Sequence, residues 1–439
     1  MPAYYWPSVR DILDGKHTGK DVEIRGWIHR IRGSNKFVFA VVRDATDIIQ
    51  VTITKGEIPD AQFQSASKTQ VEASVIVKGK VVTDARAPGG FELHATEFTV
   101  VGASDMFPIT KDRSEEHIRD IRHLWIRSRY MNALLKIRST VTGAIHEFFR
   151  NEGYYEFTPP IFTPNACEGG STLFEVKYYD KKVYMTQSWQ LYAEAAIFTL
   201  EKIYDVSPTF RAEKSKTSRH LSEFWMAEME AAWLTYRDVQ KVAEREVKFI
   251  IKKVLENNWK ELEILEANPA RLEPMLTKEW PVITYTQALD MLREKANMDI
   301  EWGKDLRTNE EAELTKFFDT PVTVIHYPKE IMAFYKPVDP EAQAPEQVCK
   351  CFDMLAPEGY GEIIGGSERD TNIESLTNAL LKEGENPENY DWYLDLRRFG
   401  SVPHSGYGMG VERLIAWICK IDNIKDAIPF PRTITRFTP

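Results

Sequence analysis

Two short runs of β type flank a basic loop in the stretch Phe210-Arg211-Ala-Glu213-Lys-Ser-Lys-Thr-Ser-Arg-His-Leu-Ser-Glu-Phe224-Trp-Met-Ala-Glu-Met-Glu230. Because side chains alternate between the two faces of a strand, we expect Arg211 and Glu213 on one face of the first strand. The return strand places four side chains on one face, those of Phe224, Met226, Glu228 and Glu230. An arginine, an aromatic ring and carboxylates that project together suit a ligand with phosphate, a flat base and an ammonium group. A solvated hairpin with surface ion pairs is the alternative for this stretch alone.

The composition is that of an ordinary globular protein. The chain has 439 residues, of which 43% are hydrophobic and 28% charged, enough for two or three domains. No run of eighteen apolar residues occurs, so we expect no membrane span, and the first residues lack the features of a signal peptide. Four cysteines are too few and too irregularly spaced for a disulfide framework: Cys167, Cys349, Cys351 and Cys419. A cytoplasmic location fits these features best.

Charge is distributed unevenly along the chain. The net charge of −10 argues against a non-specific coat for nucleic acid. Residues 1–104 carry 13 Lys and Arg against 12 Asp and Glu, so the acidic excess lies in the remainder. A nucleic-acid partner is therefore expected to meet the N-terminal part first.

Residues 1–104 predict a small closed barrel of the OB type. Five segments have the alternation or the β-branched composition of strands, with a helix-compatible stretch at 61–68; the segments are 22–29, 37–42, 48–53, 74–82 and 91–100. Such barrels bind single-stranded nucleic acid by stacking bases on aromatic side chains. The alternative is that Phe37, Phe39 and Phe91 belong to the barrel core.

A polar connector at 105–130 precedes a second domain at 131–439. Apolar residues three and four apart predict a helix that ends before Gly153; they are Leu134, Ile137, Val141, Ile145 and Phe148. The run 154–160 is extended and closes on two prolines, which suits an edge strand, and a helix leading into such a strand suggests a dimer surface. Residues 263–320 are weakly patterned, and we interpret them as an insertion.

Three later stretches carry carboxylates and glycines. Asp353 lies in Phe352-Asp353-Met-Leu, and Glu362 lies in Gly361-Glu362-Ile-Ile-Gly-Gly-Ser367. The string Gly406-Tyr-Gly-Met-Gly410-Val-Glu-Arg413 then leads into an apolar-periodic helix with Arg413 in its first turn. Glycines permit close approach of the backbone to a ligand, although such turns are also common punctuation before helices.

Taken in order, these features resemble the three motifs of the class II aminoacyl-tRNA synthetases: a helix with a proline-terminated strand, Phe-Arg-x-Glu in a strand–loop–strand, and Gly-x-Gly-x-Glu-Arg at a helix start. The barrel narrows the resemblance to the aspartyl, asparaginyl and lysyl subgroup. Three strings are similar to archaeal-type asparaginyl enzymes, namely 210–221, 354–367 and 393–406. The resemblance covers nearly the whole chain and implies an α+β fold, with an OB-type barrel followed by an antiparallel catalytic sheet flanked by helices.

The resemblance implies ligation of L-asparagine to tRNA(Asn) through an adenylate, with ATP as substrate and Mg²⁺ as cofactor. Arg211 and Arg413 would be catalytic, because positive charge is needed where two anionic reactants meet. Nine residues would bind ATP: Arg211, Glu213, Arg219, His220, Leu221, Phe224, Glu362, Gly410 and Arg413. Asp353 and Glu362 would supply oxygen ligands to Mg²⁺.

For the amino acid, the resemblance implies six contacts: Glu168, Gln190, Ala193, Arg211, Glu228 and Arg369. Glu168 would pair with the α-ammonium, Gln190 would orient the substrate, and Arg369 would hold the side-chain oxygen. Aspartyl relatives carry a lysine where this chain has Ala193 and an aspartate where it has Glu228. The loss of that cation beside a longer carboxylate favours asparagine over aspartate.

In the barrel, the resemblance places Phe39 in a stack on the middle anticodon base, with Gln50 and Glu92 hydrogen-bonded to the base edges. It also implies a homodimer formed through helix 131–152 and strand 154–160.

Three alternatives stay open. The first is an aspartyl-tRNA synthetase, including one that also charges asparagine tRNA. The second is an enzyme that makes free asparagine. The third is an inactive RNA-binding or scaffolding descendant. The barrel argues against the second, because a free-amino-acid ligase needs no anticodon reader. The third would be free to lose the site residues that are intact here, which are Arg211, Glu213, Glu362 and Arg413.

Overall fold

The computed structural model describes residues 6–109, 114–167, 173–214 and 217–439. The chain divides into two compact units, Met1–Ile118 and Arg119–Pro439. The division lies inside the segment 105–130 that the sequence marks as a connector.

The first unit is a closed five-stranded barrel with strand order β1-β2-β3-β5-β4. Strands β3 and β5 pair in parallel, and the other neighbours are antiparallel. Its elements are α1 (Val9–Leu13), β1 (Asp21–Gly33), β2 (Phe37–Arg43), β3 (Ile48–Thr54), α2 (Asp60–Lys68), β4 (Ser74–Thr83) and β5 (Phe91–Gly102). The predicted OB-type barrel is confirmed.

Alternation along β2 decides which of its side chains fill the barrel. Val38, Ala40 and Val42 are buried in the barrel core, as the period of two requires. Phe39 points outward between them and is not part of that core.

The second unit combines a mixed sheet with covering helices. In chain order its elements are α3 (Glu115–Asp120), α4 (Arg122–Trp125), α5 (Arg129–Asn151), β6 (Tyr155–Glu156), β7 (Phe162–Thr163), β8 (Glu175–Tyr178), β9 (Lys181–Met185), α6 (Gln190–Leu200), β10 (Lys202–Phe210), β11 (Glu223–Ala232), α7 (Tyr236–Ile264), α8 (Glu273–Thr277), β12 (Val282–Thr284), α9 (Tyr285–Ala296), α10 (Thr308–Thr315), β13 (Val322–Ile325), β14 (Cys351–Ala356), β15 (Gly361–Glu368), α11 (Ile373–Lys382), α12 (Asp391–Arg398), β16 (His404–Gly410) and α13 (Val411–Cys419).

The main sheet has eight strands in the order β12-β13-β14-β15-β16-β11-β10-β6. Its centre, from β13 to β10, is antiparallel, and a parallel pair lies at each end. Helices α5, α7 and α13 pack their apolar faces on the sheet in one core. The five residues that predicted α5 are all buried in that core, so the predicted sheet with flanking helices is confirmed.

Two predicted strands are shorter in the structure. Strand β10 ends at Phe210, so the prediction that Arg211 and Glu213 share a strand face is wrong. The Arg211 N–H donates to the Ser222 carbonyl oxygen, and the chain then leaves the sheet. In the run 154–160 only Tyr155–Glu156 forms a strand. The Phe157 N–H still donates to the Tyr204 carbonyl oxygen of β10, and the run then reaches two prolines, which have no N–H to donate.

The segment 263–320 contributes to the sheet. It carries α8, α9 and α10, and its strand β12 pairs in parallel with β13 at one edge. Among the helices that the structure describes, none has the length and apolar character needed to cross a membrane.

A buried carboxyl group lies between α7 and the sheet. The Tyr407 hydroxyl donates to Glu246 Oε2 at 2.6 Å, and both side chains are buried. Burial raises the pKa of Glu246 to about 8 from its ordinary value of 4.5, because in this apolar setting only the tyrosine hydrogen bond offsets the cost of ionisation. The folded protein therefore favours the neutral acid.

This raised pKa predicts a pH-dependent stability. The contribution of neutral Glu246 to the free energy of unfolding is complete below pH 4.5 and is lost as pH rises through about 8. We expect Glu246→Gln to remove this loss, so that the variant gains on the order of 3 kcal/mol relative to the wild type between about pH 5 and pH 8. Chemical denaturation at several pH values measures the difference. Glu256→Gln on the exposed side of α7 is the control, and parallel pH profiles for wild type and Glu246→Gln would contradict the assignment.

Candidate active site

Two adjoining cavities lie over the middle of the sheet. The first cavity encloses about 640 Å³ and the second about 680 Å³. They share Arg211, Met226, Glu362 and Gly408. Met226 and Glu228 line the cavities, whereas Ala227 between them packs in the helix-covered core. The predicted common face of the return strand is therefore where the cavities form.

The first cavity brings together every residue that the sequence assigned to ATP. They are Arg211, Glu213, Arg219, His220, Leu221, Phe224, Glu362, Gly410 and Arg413. The carboxylate of Glu213 lies 3.5 Å from His220 Nε2. Burial lowers the pKa of His220 despite this neighbour.

Arg211 lies where the two cavities meet. Its Nε is buried with no hydrogen-bond partner in the described part of the chain. Its guanidinium is 5.6 Å from the centre of the Phe224 ring. A buried N–H group without a hydrogen-bond partner is costly, so this position suits an anionic ligand that bridges the cavities.

Arg413 and Glu362 form an ion pair at the other side of the first cavity. Arg413 Nη1 donates to Glu362 Oε2 at 2.7 Å and to the Glu362 carbonyl oxygen at 3.2 Å. Burial opposes ionisation of Glu362, but Arg413 and then Arg211 outweigh it and hold the pKa of this carboxyl below its ordinary value. Glu362 is thus an anion in the wall between the two cavities.

The second cavity contains most of the predicted amino-acid contacts. It is lined by Gln190, Arg211, Glu228 and Arg369, together with Asp353 and Glu362. Ala193 is fully buried in an apolar cluster with Trp189 and Ile197 and does not line the cavity. Glu168 lies outside the described residues.

Glu228 is held by two donors from the start of α6. The Ser188 hydroxyl donates to its Oε1 at 2.6 Å and the Trp189 N–H to its Oε2 at 2.9 Å. The Glu228 carboxylate also lines the second cavity. Glu228 therefore presents a fixed acceptor to the second cavity.

Arg369 is anchored beneath the same cavity by Glu230. Its Nη2 donates to Glu230 Oε2 at 2.7 Å, and its Nη1 donates to Ser367 Oγ at 2.8 Å. Burial opposes the charge of Arg369, but Glu230 outweighs it and raises the pKa of the guanidinium. A Cβ at Gly406 would collide with Glu230 Oε2, so the glycine makes room for this pair. The guanidinium keeps N–H groups that are available to a ligand.

A buried network behind the second cavity fixes the orientation of Gln190. Glu194 accepts from Gln190 Nε2 at 3.0 Å, Tyr393 at 2.9 Å and Arg397 at 2.5 Å, and His404 Nε2 lies 3.0 Å from its Oε2. Burial opposes ionisation of Glu194, but Arg397 and His404 outweigh it and hold its pKa far below the ordinary value. Because a carboxylate only accepts, the amide nitrogen of Gln190 faces Glu194 and its oxygen is left for the cavity.

Asp353 and Glu362 converge over Gly365. A Cβ on Gly365 would lie 3.3 Å from Asp353 Oδ1 and 3.1 Å from Glu362 Oε1. Burial and the neighbouring charge of Glu362 raise the pKa of Asp353 well above its ordinary value. Two partly buried carboxylates around one small space fit a hard divalent cation, which usually takes one or two carboxylates and completes its shell with phosphate and water. No cluster of three or more such protein ligands occurs among the residues described.

The outer face of the barrel carries a second candidate site. Phe39 stacks beside Phe37 with ring centres 6.1 Å apart, and Arg32 lies over the Phe39 ring at 5.4 Å. On the neighbouring strands, Gln50 donates to Glu92 Oε2 at 2.9 Å. The three predicted residues of the barrel, Phe39, Gln50 and Glu92, therefore occupy adjacent strands.

Hydrogen bonds hold Glu92 ionised on this face. Thr52 donates to Glu92 Oε2 at 3.0 Å, and His94 Nε2 lies 2.6 Å from its Oε1. Burial opposes the charge, but Gln50 and then His94 outweigh it and lower the pKa of Glu92.

Sequence reasoning missed several residues that hold the predicted ones in place. The sequence predicted the strand face on which Glu230 lies but not its ion pair with Arg369. It did not indicate a role for Ser188. Glu194 follows Gln190 by one helical turn, a spacing that signals contact. Glu311, which accepts a hydrogen bond from Arg219 Nη2 at 3.0 Å, carried no sequence signal.

Both units of the chain match known protein families. The family model of tRNA synthetases class II (D, K and N) matches residues 114–434, and that of the OB-fold nucleic acid binding domain matches residues 22–101. The asparagine–tRNA ligase of Thermococcus kodakarensis is 46% identical over 421 residues, 96% of each chain. That of Thermus thermophilus is 45% identical over 432 residues, 97% of this chain and 98% of the relative.

Solved structures extend the likeness over the whole chain. The asparaginyl-tRNA synthetase from Pyrococcus horikoshii complexed with asparaginyl-adenylate has a TM-score of 0.95 at 44% identity and full coverage of both chains. An aspartyl tRNA synthetase from Entamoeba histolytica, at 23% identity, a TM-score of 0.84, and 100% and 96% coverage, shares the fold. The chain belongs to the class II tRNA synthetases of the D, K and N family.

Proposed function

We propose that this protein is an asparagine–tRNA ligase, which activates L-asparagine with ATP and transfers it to tRNA(Asn). The observation that carries the proposal is the meeting of the two cavities at Arg211, with a fixed carboxylate acceptor in the second cavity. Relatives that cover nearly the whole chain at about 45% identity are asparagine–tRNA ligases.

In the first step the asparagine carboxylate attacks the α-phosphorus of ATP. The bond to the β-phosphate breaks, pyrophosphate leaves, and an asparaginyl-adenylate remains. Arg211 lies between the two cavities and stabilises the negative charge that builds up on the reacting groups. Arg413 binds the far phosphates, for which a guanidinium fork is well shaped. No residue forms a covalent intermediate.

The rest of the first cavity binds the nucleotide. Phe224 stacks on the adenine ring, and Glu213 accepts from its amino group. Arg219, His220 and Leu221 close over the nucleotide from the loop, and Gly410 lets the phosphates approach the start of α13.

Asp353 and Glu362 would hold Mg²⁺ beside the phosphates. The ion supplies charge neutralisation to the triphosphate when it is bound. The two carboxylates would hold the ion near the small space over Gly365.

The second cavity distinguishes asparagine from aspartate by charge. The Glu228 carboxylate accepts from the asparagine amide, and Arg369 donates to the amide oxygen. Gln190 presents an oxygen to a substrate donor, and Glu168 pairs with the α-ammonium. Aspartate would bring a like charge towards Glu228 in a desolvated pocket, and Ala193 supplies no cation to offset it.

The barrel reads the tRNA anticodon. Phe39 stacks on the middle base while Gln50 and Glu92 bond to its edges, the usual mode by which proteins read unstacked RNA bases. The exposed ring of Phe37 extends the same aromatic surface.

The protein acts as a homodimer in the cytoplasm. Helix 131–152 and the run 154–160 form the proposed interface. Strand β6 in this run lies at the end of the sheet, and Tyr155 on it is exposed. An open strand edge with exposed aromatic side chains is a surface that proteins usually cover.

Two other activities make different demands on the site. An aspartyl enzyme would need a cation beside the side-chain carboxylate of its substrate, whereas this cavity presents the negative charge of Glu228. A ligase forming free asparagine would not need tRNA.

Aminoacylation of tRNA(Asn) with each of the standard amino acids tests the proposal: asparagine alone should be attached, and attachment of another amino acid instead would refute it.

Arg211→Ala should impair adenylate formation specifically. We expect a loss of on the order of 3 kcal/mol, roughly a hundredfold in rate, because charge stabilisation in the transition state is removed. Asparagine-dependent ATP–pyrophosphate exchange measures the effect. Arg211→Lys keeps the charge but not the two-pronged guanidinium, so its exchange rate should lie between those of the wild type and Arg211→Ala. A near-normal rate for Arg211→Ala would show that the arginine is not catalytic.

Glu228→Gln should weaken the discrimination between the two amino acids. The neutral amide no longer repels aspartate, so we expect the ratio of kcat/KM for asparagine over aspartate to fall about tenfold or more. Pyrophosphate exchange with both amino acids gives the ratio. Glu223→Gln, an exposed glutamate on the same strand, is the matched control. An unchanged ratio in Glu228→Gln would remove Glu228 from the specificity pocket.

Phe39→Ala should separate tRNA recognition from asparagine activation. We expect tRNA charging to weaken by about 1–3 kcal/mol, the usual range for a base stacked on an aromatic ring. Asparagine activation without tRNA should be unchanged, and it serves as the internal control. A parallel fall in both reactions would mean that Phe39 has only a structural role.

A further inference from the structure

A carboxylate from the segment 263–320 reaches the wall of the first cavity. Glu311 lies on α10 and accepts from Arg219 Nη2 at 3.0 Å through its Oε2. The same oxygen accepts from the Glu362 N–H at 3.1 Å. Glu311 therefore joins the loop between β10 and β11 to the start of β15.

The backbone around Gly361 is shaped to this contact. Arg219 Nη2 also donates to the Tyr360 carbonyl oxygen. Gly361 has a φ of +68°, and a Cβ there would collide with both Arg219 Nη2 and Glu311 Oε2. Glycine is the residue that adopts such a φ and leaves this space without strain.

Only one side of the Arg219 guanidinium is occupied. Its Nη1 is buried without a hydrogen-bond partner in the described residues, and Arg219 lines the first cavity. The ion pair has side chains that are 16% and 13% exposed, so both charges are largely removed from water. Such a pair fixes geometry, because removing one partner leaves a buried charge uncompensated. The unpartnered Nη1 is then a preformed donor.

We propose that Glu311 is a positioning residue for the nucleotide: it holds Arg219 Nη2 so that Nη1 donates to a phosphate of ATP. This inference rests on the proposed role of Arg219 in binding ATP. Through this contact the segment 263–320 takes part in the adenylation site, although Glu311 and Arg219 are 92 residues apart in the sequence. The opposite arrangement, in which Glu311 withholds Arg219 from the nucleotide, predicts the opposite change in KM.

Glu311→Gln tests the sign of the effect. We expect the KM for ATP to rise about tenfold, because a misplaced donor loses binding that depends on orientation. The KM for asparagine should stay within about twofold, since Glu311 does not line the second cavity. Steady-state pyrophosphate exchange with ATP and asparagine as varied substrates measures both constants. Glu313→Gln on the same helix, whose partner is Lys316, is the matched control.

A double-mutant cycle with Arg219→Ala separates positioning from a general structural role. Glu311→Gln should have no further effect on the KM for ATP once Arg219 is alanine. Glu311→Asp keeps the charge with a shorter reach and should give an intermediate KM even where the glutamine variant folds poorly.

Each other result overturns the inference. A fall in the KM for ATP in Glu311→Gln means that Glu311 sequesters Arg219, and additive effects mean that it acts independently. A normal KM in Glu311→Gln beside a raised KM in Arg219→Ala rejects Glu311 alone. A normal KM in Arg219→Ala rejects both Glu311 and the role of Arg219 with ATP.

Discussion

Pairing of buried guanidinium and carboxylate groups is the constraint on which this site depends. A charge removed from water is costly unless an opposite charge and hydrogen bonds accompany it. Four arginines around the cavities meet this condition within the protein: Arg369 with Glu230, Arg413 with Glu362, Arg219 with Glu311 and Arg397 with Glu194. Arg211 has no such partner among the described residues at its buried Nε. In our account the substrates supply the missing anions at the point where they react.

The sheet makes these pairs possible by the order of its strands. Strand β16 lies between β15 and β11, so the pair of Arg369 and Glu230 spans it. Gly406 on β16 is needed because a side chain there would occupy the space of that pair. The same arrangement brings Asp353 and Glu362 over Gly365 on adjacent strands. Glycine in the interior of a strand weakens the strand, but at these central positions it leaves the space that the charged side chains occupy.

Periodicity predicted the framework, because burial of one face imposes a repeat that is visible in the sequence. The apolar spacing of α5 and the alternation of the barrel strands are confirmed. The end of β10 was placed too late, since Arg211 and Glu213 alternate like strand residues although they lie in the loop. Glu194 and Glu311 look like solvated helix residues in the sequence. Their partners, Arg397 and Arg219, lie 203 and 92 residues away, and only the folded chain reveals those contacts.

We infer that the second cavity selects asparagine by the charge of Glu228 and the absence of a compensating lysine at Ala193. ATP–pyrophosphate exchange by the wild-type protein, with asparagine and with aspartate in turn, measures this selectivity. A site built around a specific polar pairing rejects an analogue strongly, so we predict a kcat/KM for asparagine about a thousandfold or more above that for aspartate. Comparable exchange with the two amino acids would contradict the account.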